Sequence, residues 1–330
     1  MLNLWQKKSF LAYLLWPLSF VYSIFIFLRR KLYQLHFLKI NYLTVPVIVV
    51  GNITIGGTGK TPVVIALACF LKEKGWRPGI ISRGYGGNTK HFPCLVHQNS
   101  NAREVGDEPL LIAQHTACPT VIDPNRSRGA KSLLKRSNCN IVISDDGLQH
   151  LSLGRNIEIV VVDGERRFGN NFCLPAGPLR EPVSRLNSVD FVISKEMTQA
   201  NEFKLSLIPD YFYQLIQTKN KQSADYFLNR KVHAVAGIGN PSQFFKTLRN
   251  LNLTIIEHPF PDHYQFKPRD FNFGDDAIVI MTEKDAIKCV GFVDTRLWCL
   301  KTKTDLDNNF LNTILSRINV INKNLKSSLS

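Results

Sequence analysis

The sequence lacks any pair of cysteines at the spacing of a metal site. Seven cysteines are scattered over 330 residues, with no C-x-x-C pair and no cysteine–histidine cluster. This scatter excludes a zinc-finger type of protein and is typical of reduced cysteines on the cytosolic side of a membrane. Repeats and low-complexity tracts are missing as well, which excludes a solenoid architecture.

Acidic residues are missing from the amino-terminal part, since the first acid is Glu73. Residues 1–59 carry six of the fifteen excess positive charges of the chain. Nucleic-acid binding needs positive charge spread along a groove, whereas these charges gather around an apolar segment. We therefore expect no nucleic-acid partner. The six basic residues are Lys7, Lys8, Arg29, Arg30, Lys31 and Lys39.

Charge is also missing from residues 9–28, a run of 20 residues between two basic clusters. As a helix this run would be about 30 Å long, near the thickness of a bilayer's hydrocarbon core. A cleaved signal peptide is disfavoured, because no small-residue cleavage site follows Leu28. Pro17 and the nearly symmetric charges leave open whether the helix spans the membrane or lies in its surface. We expect residues 1–40 to associate with a membrane; the alternative is a buried core helix.

A glycine-rich turn follows the apolar run 45–50 and precedes a helix-like segment. Such a turn directs backbone N–H groups and the positive end of the helix at a phosphate chain. Lys60 would reach the outer phosphates, and the Thr61 hydroxyl would ligate Mg²⁺. The sequence thus predicts a nucleoside triphosphate site formed by Gly56, Gly57, Thr58, Gly59, Lys60 and Thr61.

This turn departs from the general motif G-x-x-x-x-G-K-[ST], because Thr54 stands where the first glycine is expected. It resembles the G-G-x-G-K-T variant of ParA/MinD-type ATPases, although their additional lysine is Ile55 here. A chance glycine-rich turn is the alternative, and the flanking strand and helix patterns argue against it.

Apolar β-rich runs alternate with helix-like runs, which predicts an α/β fold with a mainly parallel sheet and helices on both faces. We predict a membrane-associating segment (1–40), a P-loop domain (41–215) and a smaller second α/β domain (216–330). The polar stretch 196–230 is expected to be irregular and to link the halves. The predicted strands are 45–50, 78–82, 119–122, 140–144, 157–162, 190–194, 232–237, 254–258, 277–281 and 297–300. The predicted helices are 62–74, 107–116, 127–137, 307–321 and two that begin at Pro241 and Glu283.

Asp145 and Asp146 follow the apolar run 141–144. In a P-loop fold an acid at the end of a neighbouring strand holds the Mg²⁺ shell, so both are candidate metal ligands. The alternative is a turn with two solvated acids. Asp107 precedes another helix-like run, where it would act either as an N-cap or as a base for a hydroxyl nucleophile.

Two loops carry further candidates. Arg83 and Tyr85 lie in a glycine-rich loop after a strand. Arg180 and Glu181 lie in a proline-rich segment that suits a polyphosphate site, because arginine binds phosphate through two hydrogen bonds. For each loop the alternative is a surface loop with solvated charges. His263 lies in a loop of the second half. A single histidine in a loop is more often structural than catalytic, so the residue by itself predicts a structural role.

Taken together, these segments resemble one family, the tetraacyldisaccharide 4′-kinases, which are the lipid A 4′-kinases of Gram-negative bacteria. The resemblance implies transfer of phosphate from ATP, with Mg²⁺, to the 4′-hydroxyl of a tetraacyldisaccharide 1-phosphate at the cytoplasmic face of the inner membrane. It also implies a P-loop domain and a smaller domain around a cleft. The matching segments are 51–62, 82–86, 105–109, 144–150, 174–182, 260–264 and 282–286.

The resemblance also implies a role for each candidate residue, and we expect a monomer. Asp107 matches the catalytic base and His263 the histidine that orients it, while Lys60 serves catalysis as well as phosphate binding. Arg180 and Glu181 match residues of an active-site loop, and Tyr85 matches a position facing the lipid headgroup. Thr61, Asp145 and Asp146 match the metal site.

A ParA/MinD-like switch ATPase on membranes is the alternative function. The second α/β half argues against it, because a minimal switch does not need one. A GTPase is disfavoured, because residues 282–285 do not have the spacing of the N-K-x-D guanine signature.

Overall fold

The computed structural model describes Trp5, Lys7 and residues 9–327, and it shows an α/β fold, as the sequence predicts. Short 3-10 turns lie at Val183–Ser188, Ala224–Phe227 and Pro268–Phe271. The helices are α1 (Phe10–Gln34), α2 (Lys60–Glu73), α3 (Ala102–Val105), α4 (Asp107–Thr116), α5 (Arg126–Arg136), α6 (Pro241–Asn250), α7 (Glu283–Ala286) and α8 (Asn308–Ser327). The strands are β1 (Val47–Gly51), β2 (Pro78–Ser82), β3 (Cys94–Val96), β4 (Thr120–Ile122), β5 (Ile141–Asp145), β6 (Ile157–Asp163), β7 (Phe191–Lys195), β8 (Phe203–Gln214), β9 (Lys221–Gln222), β10 (Val232–Ala236), β11 (Ile255–Pro259), β12 (Ile278–Thr282) and β13 (Leu297–Leu306).

The strands form one sheet in the order β11-β10-β12-β13-β8-β7-β6-β1-β5-β2-β4-β3, with β9 beside β8. β1 lies between β5 and β6 and is parallel to both. Val50 of β1 is paired with Asp145 of β5. Because parallel strands end at the same edge, this register brings the glycine-rich turn beside the paired acids.

The expectation of an irregular linker over residues 196–230 is wrong. β8 begins parallel to β7 and continues antiparallel to β13. This one long strand joins the strands of the first half (β1 to β7) to those of the second half (β10 to β13) within the sheet. Pro209 argues against a strand when only the sequence is considered, since proline rarely occurs inside a sheet. It lies at a shift in the register of β8 against β13, where a ladder tolerates a proline.

Apolar side chains pack on both faces of the first half of the sheet. α2, α4 and α8 cover one face through residues such as Leu67, Ile112 and Phe310. α5 covers the opposite face through Ala130 and Leu133. The predicted placement of helices on both faces is therefore confirmed.

α1 presents most of its apolar side chains to the outside. It is long and apolar enough to cross a membrane by length and composition. Phe10 is 85% exposed, and within the helix only Ala12 and Ser19 are buried. This exposure contradicts the alternative of a core helix. Lys8, in the first basic cluster, lies outside the described residues.

Candidate active site

The glycine-rich turn connects β1 to α2. Gly59 is the N-cap of α2 with a φ of 94°, a left-handed conformation that favours glycine. Asn52 Nδ2 donates to Gly56 O at 3.3 Å and to Thr58 Oγ1 at 3.2 Å, which braces the turn from inside. The first N–H groups of a helix have no partner within the helix, so this end of α2 suits a phosphate.

Thr54 stands in for the first glycine because the chain is extended there. It is buried and forms an isolated bridge with Leu179 of the proline-rich loop. The neighbouring Ile55 N–H donates to Pro178 O at 2.8 Å. An extended, paired backbone does not require glycine, which accounts for the departure from the general motif.

Asp146 lies between two cations. Its carboxylate is 3.4 Å from Lys60 Nζ and 3.3 Å from Arg180 Nη1. Burial alone would raise the pKa of Asp146, but these cations lower it below its usual value. The turn, the paired acids and the proline-rich loop therefore meet at one point, as the sequence predicts.

Asp145 is buried beside Asp146. Its Oδ2 accepts from Ser82 Oγ at 3.0 Å, while Oδ1 has no hydrogen-bond partner among the described residues. Burial, together with the charges of Glu108 and Asp146, raises the pKa of Asp145 to about 7. A buried carboxylate oxygen without a partner fits a hard cation.

The described residues contain no group of three or more His, Cys, Asp or Glu side chains that could hold a metal ion. Mg²⁺ is commonly held by one or two carboxylates together with phosphate oxygens and water. The donor set of Asp145, Asp146 and Thr61 is of this kind. These residues fit Mg²⁺ that arrives with a nucleotide.

Asp107 lies at the start of α4 and faces His263 of the second half. His263 Nδ1 lies 3.0 and 3.1 Å from the two carboxylate oxygens of Asp107. Gly106 is the N-cap of α4, so the interpretation of Asp107 as an N-cap is wrong. The ring of Tyr85 contacts His263 edge-on, with ring centroids 4.9 Å apart. Three predicted residues, from the start of α4 and from two loops, therefore form one cluster.

Lys284 is a member of this cluster that we did not single out from the sequence. Its Nζ lies 3.8 Å from Asp107 Oδ2, 3.0 Å from Glu108 Oε1 and 3.4 Å from Asp262 Oδ1. Burial would raise the pKa of Asp107, but the hydrogen bond from His263 and the charge of Lys284 lower it below its usual value. Asp107, which is 4% exposed, is therefore ionised at neutral pH. Lys284 lies in segment 282–286, one of the segments that resemble the family, and this resemblance was the signal in the sequence that could have identified it.

Arg180 and Glu181 are adjacent but lie in different surroundings. Arg180 points to Asp146, whereas Glu181 is buried in an internal network. Gln149 Nε2 donates to Glu181 Oε1 at 2.8 Å, and Arg185 Nε donates to Oε2 at 3.2 Å. Both oxygens of Glu181 are therefore engaged by protein groups. A role for Glu181 in nucleotide binding stays a prediction.

A cavity of about 470 Å³ lies between the two halves, directly over the glycine-rich turn. Residues 57–62 form one wall, and Gln243 and Phe244 of α6 form part of another. Glu108 and Lys284 also line the cavity and connect it to the Asp107 cluster. The volume and the mixed lining are those of a small-ligand site.

Comparison with known proteins identifies relatives over nearly the whole chain. "Tetraacyldisaccharide 4'-kinase" proteins from Coxiella burnetii (strain RSA 331 / Henzerling II) and Nitrosococcus oceani are each 47% identical, covering 96% of this chain and 94% and 93% of their own length. A crystal structure of LpxK from Aquifex aeolicus in complex with ATP is 32% identical, with a TM-score of 0.79 over 93% of this chain and 99% of that chain.

The family model described as tetraacyldisaccharide-1-P 4'-kinase matches residues 11–319. That span contains β1, the glycine-rich turn, the paired acids and both partners of the Asp107–His263 pair. It also contains β10 to β13 of the second half, which a minimal switch ATPase does not need. The resemblance predicted from the sequence motifs is confirmed, and the chain belongs to the tetraacyldisaccharide-1-P 4'-kinase family.

Proposed function

We propose that this protein is an ATP-dependent lipid kinase that phosphorylates the 4′-hydroxyl of a tetraacyldisaccharide 1-phosphate, a step of lipid A biosynthesis. The observation that carries the proposal is the Asp107–His263 pair beside a phosphate-binding turn. Phosphoryl transfer needs positioned phosphates and a base for the acceptor hydroxyl, and these elements supply both. The relatives are named for this activity, and the match with this chain covers nearly their full length.

Each group has a defined task in the transfer. Lys60 and the turn bind the outer phosphates of ATP, and Thr61, Asp145 and Asp146 would hold Mg²⁺. When bound, Mg²⁺ neutralises negative charge on the phosphate oxygens. The 4′-oxygen attacks the γ-phosphorus, and the bond from that phosphorus to the β–γ bridging oxygen breaks, releasing ADP.

The hydroxyl proton moves to the Asp107 carboxylate. His263 donates a hydrogen bond through Nδ1 and so orients this carboxylate, and Lys284 keeps it ionised. A base must be unprotonated before the reaction, and the lowered pKa of Asp107 meets this requirement at neutral pH. Tyr85 contacts His263, and this contact supports our proposal that Tyr85 faces the headgroup of the acceptor.

The acceptor's acyl chains stay in a bilayer, so the enzyme has to work at a membrane surface. The exposed apolar face of α1 and the flanking basic residues Arg29, Arg30 and Lys31 suit an anionic lipid surface. We assign the protein to the cytoplasmic face of the inner membrane, where ATP is present. A monomer suffices for this scheme, because both halves of the cleft come from one chain.

The test is incubation of the full chain with γ-labelled ATP, Mg²⁺ and tetraacyldisaccharide 1-phosphate in detergent micelles. We expect label to appear in the lipid, and none in an acceptor analogue whose 4′-hydroxyl is replaced by hydrogen. ATP hydrolysis with no label in the lipid would overturn the proposal. Label at the 1-phosphate instead of position 4′ would overturn the assigned acceptor.

A further inference from the structure

Ser19 is a buried polar residue in a helix whose apolar side chains are mostly exposed. It is 3% exposed. Its hydroxyl donates to Cys173 O at 2.6 Å and accepts from Ala176 N at 3.0 Å. One side chain of α1 thus satisfies two backbone groups of the loop formed by residues 173–180. Since a buried backbone group without a partner is costly, this pairing fixes the loop against α1.

Tyr22 makes a second connection one helical turn further along α1. Its hydroxyl donates to Arg180 O at 3.0 Å. Its ring packs against an apolar cluster that contains Ile53, Leu148 and Leu179. Residues three apart lie on the same side of a helix, so Ser19 and Tyr22 hold the two ends of the loop from one face of α1.

The other side of the loop is bound to residues 53–55, which connect β1 to the glycine-rich turn. Arg180 N donates to Ile53 O at 2.7 Å, and Ile55 N donates to Pro178 O at 2.8 Å. The loop is therefore held between α1 and the phosphate-binding element. From this position the Arg180 guanidinium reaches Asp146, 3.3 Å away.

We propose that Ser19 and Tyr22 are positioning residues for phosphoryl transfer, and that they hold the 173–180 backbone so that Arg180 reaches Asp146 beside the phosphates. This inference rests on the proposed function. Neither side chain lines the cavity over the glycine-rich turn. The membrane-facing helix therefore serves the nucleotide site as well as membrane attachment.

The test is a pair of single-oxygen deletions, Ser19→Ala and Tyr22→Phe, each combined with Arg180→Ala. We expect each single variant to lower kcat by about 10-fold, because a small misplacement of an active-site group has effects of this size. In the Arg180→Ala background the same deletions should have almost no further effect. Such non-additivity is expected only if the two residues act through Arg180.

Two controls separate positioning from attachment and folding. Tyr33→Phe removes a hydroxyl from the same helix, where the guanidinium of Arg29 lies over the Tyr33 ring. Ser316→Ala removes a hydroxyl from α8, where it bonds within the helix to Asn312 O. Both controls should keep full activity, and all variants should bind vesicles containing anionic lipid equally well. Ser19→Thr retains the hydroxyl and should recover most of the activity that Ser19→Ala loses.

The inference is overturned if Ser19→Ala and Tyr22→Phe keep wild-type kcat, or if their losses persist undiminished in the Arg180→Ala background. If Ser19→Ala does not fold, the Tyr22→Phe cycle alone decides. The same double-mutant cycle is also carried out with the Kd of a fluorescent ATP analogue as the measured quantity. A wild-type protein that binds nucleotide without phosphorylating lipid refutes the proposed function, while the Kd cycle still tests the inference.

Discussion

The carboxylate of Asp107 is both buried and ionised. Burial raises the pKa of a carboxyl group, so a buried carboxyl group without partners would be protonated more readily. His263 and Lys284 supply the compensation, since both lie within 4 Å of its oxygens. Neither partner is near Asp107 in the sequence. The chemical character of this residue is therefore produced by contacts between distant segments.

Replacing the carboxylate should remove the base and leave the nucleotide site intact. We expect Asp107→Asn to lower kcat by about 10²–10⁴-fold, the usual contribution of general base catalysis. The affinity for an ATP analogue, measured by fluorescence titration, should stay near the wild-type value. A large loss of nucleotide affinity would contradict the assignment of Asp107 as the base.

Lys284 should set the pH at which the base becomes active. The pKa of Asp107 is lowered in the folded protein, so kcat/KM should fall as pH drops through that pKa. Lys284→Met removes the neighbouring positive charge and raises the pKa. The acidic limb of the pH–rate profile should then move to higher pH. Lys231→Met, which breaks a surface pair with Asp275, is the control and should leave the limb in place.

At the scale of elements, the turn between β1 and α2 contains glycines with positive φ, among them Gly59 at the start of the helix. Gly59 and Gly75 have φ values of 94° and 82°. The nearest atom to an added Cβ lies at 3.4 Å for Gly59, and none lies within 4 Å for Gly75. Gly59→Ala and Gly75→Ala should each cost about 1–2 kcal/mol of stability through backbone strain. Thermal unfolding measures this cost.

Only the first of these substitutions should affect the nucleotide. Gly59 lines the cavity and caps the helix that faces the phosphates, whereas Gly75 follows the other end of α2. We expect Gly59→Ala to weaken ATP-analogue binding at least several-fold and Gly75→Ala to leave it unchanged. Equal losses for both variants would mean that the turn is not the phosphate site.

α1 should be the element that attaches the protein to membranes. Phe20 and Phe25 are more than half exposed, and burying such a side chain is worth about 1.5–3 kcal/mol. Phe20→Asp or Phe25→Asp should therefore weaken binding to anionic vesicles by about 10-fold or more in a sedimentation assay. Val320→Asp, at an exposed apolar position of α8, is the matched control. Unchanged vesicle binding of both phenylalanine variants would place the attachment surface elsewhere.

At the scale of the whole molecule, charged contacts join the two halves around the cleft. His115 of α4 lies 3.1 Å from Glu283 of α7, and Lys301 of β13 lies 2.6 Å from the same carboxylate. Arg166 contacts both Gly57 of the phosphate turn and Gly239 of the second half. These contacts assemble the cleft, and closure around ATP would exclude water from it.

Glu283 should make stability depend on acidic pH. Burial would raise the pKa of Glu283, but His115 and Lys301 lower it. A lowered folded-state pKa contributes stability above the unfolded value of 4.5, and this contribution is lost as pH falls through the folded value. Glu283→Gln should lower Tm by roughly 2–5 °C at pH 7 and flatten the dependence below pH 5. Glu165→Gln, in an exposed pair with Lys246, should change neither.

Local patterns in the sequence determined most of the strands and helices, because alternation and helical periodicity depend only on neighbouring residues. They also determined the glycine-rich turn, whose chemistry depends on consecutive residues. β8 escaped prediction because its proline and polar residues are tolerated by a specific partner, β13. The roles of Asp107 and His263 came from the family resemblance, since residues 156 positions apart give no local signal.

Tertiary structure alone decided what each candidate touches. It placed Arg180 on Asp146 and enclosed the adjacent Glu181 in a separate network. It brought Lys284 next to the carboxylate of Asp107. It also connected Ser19 of α1 to the loop that carries Arg180. Composition and spacing determine which chemical groups are available and which elements form. Distances, burial and pKa shifts arise only when the strands take their order in the sheet, because they depend on groups brought together from distant parts of the chain.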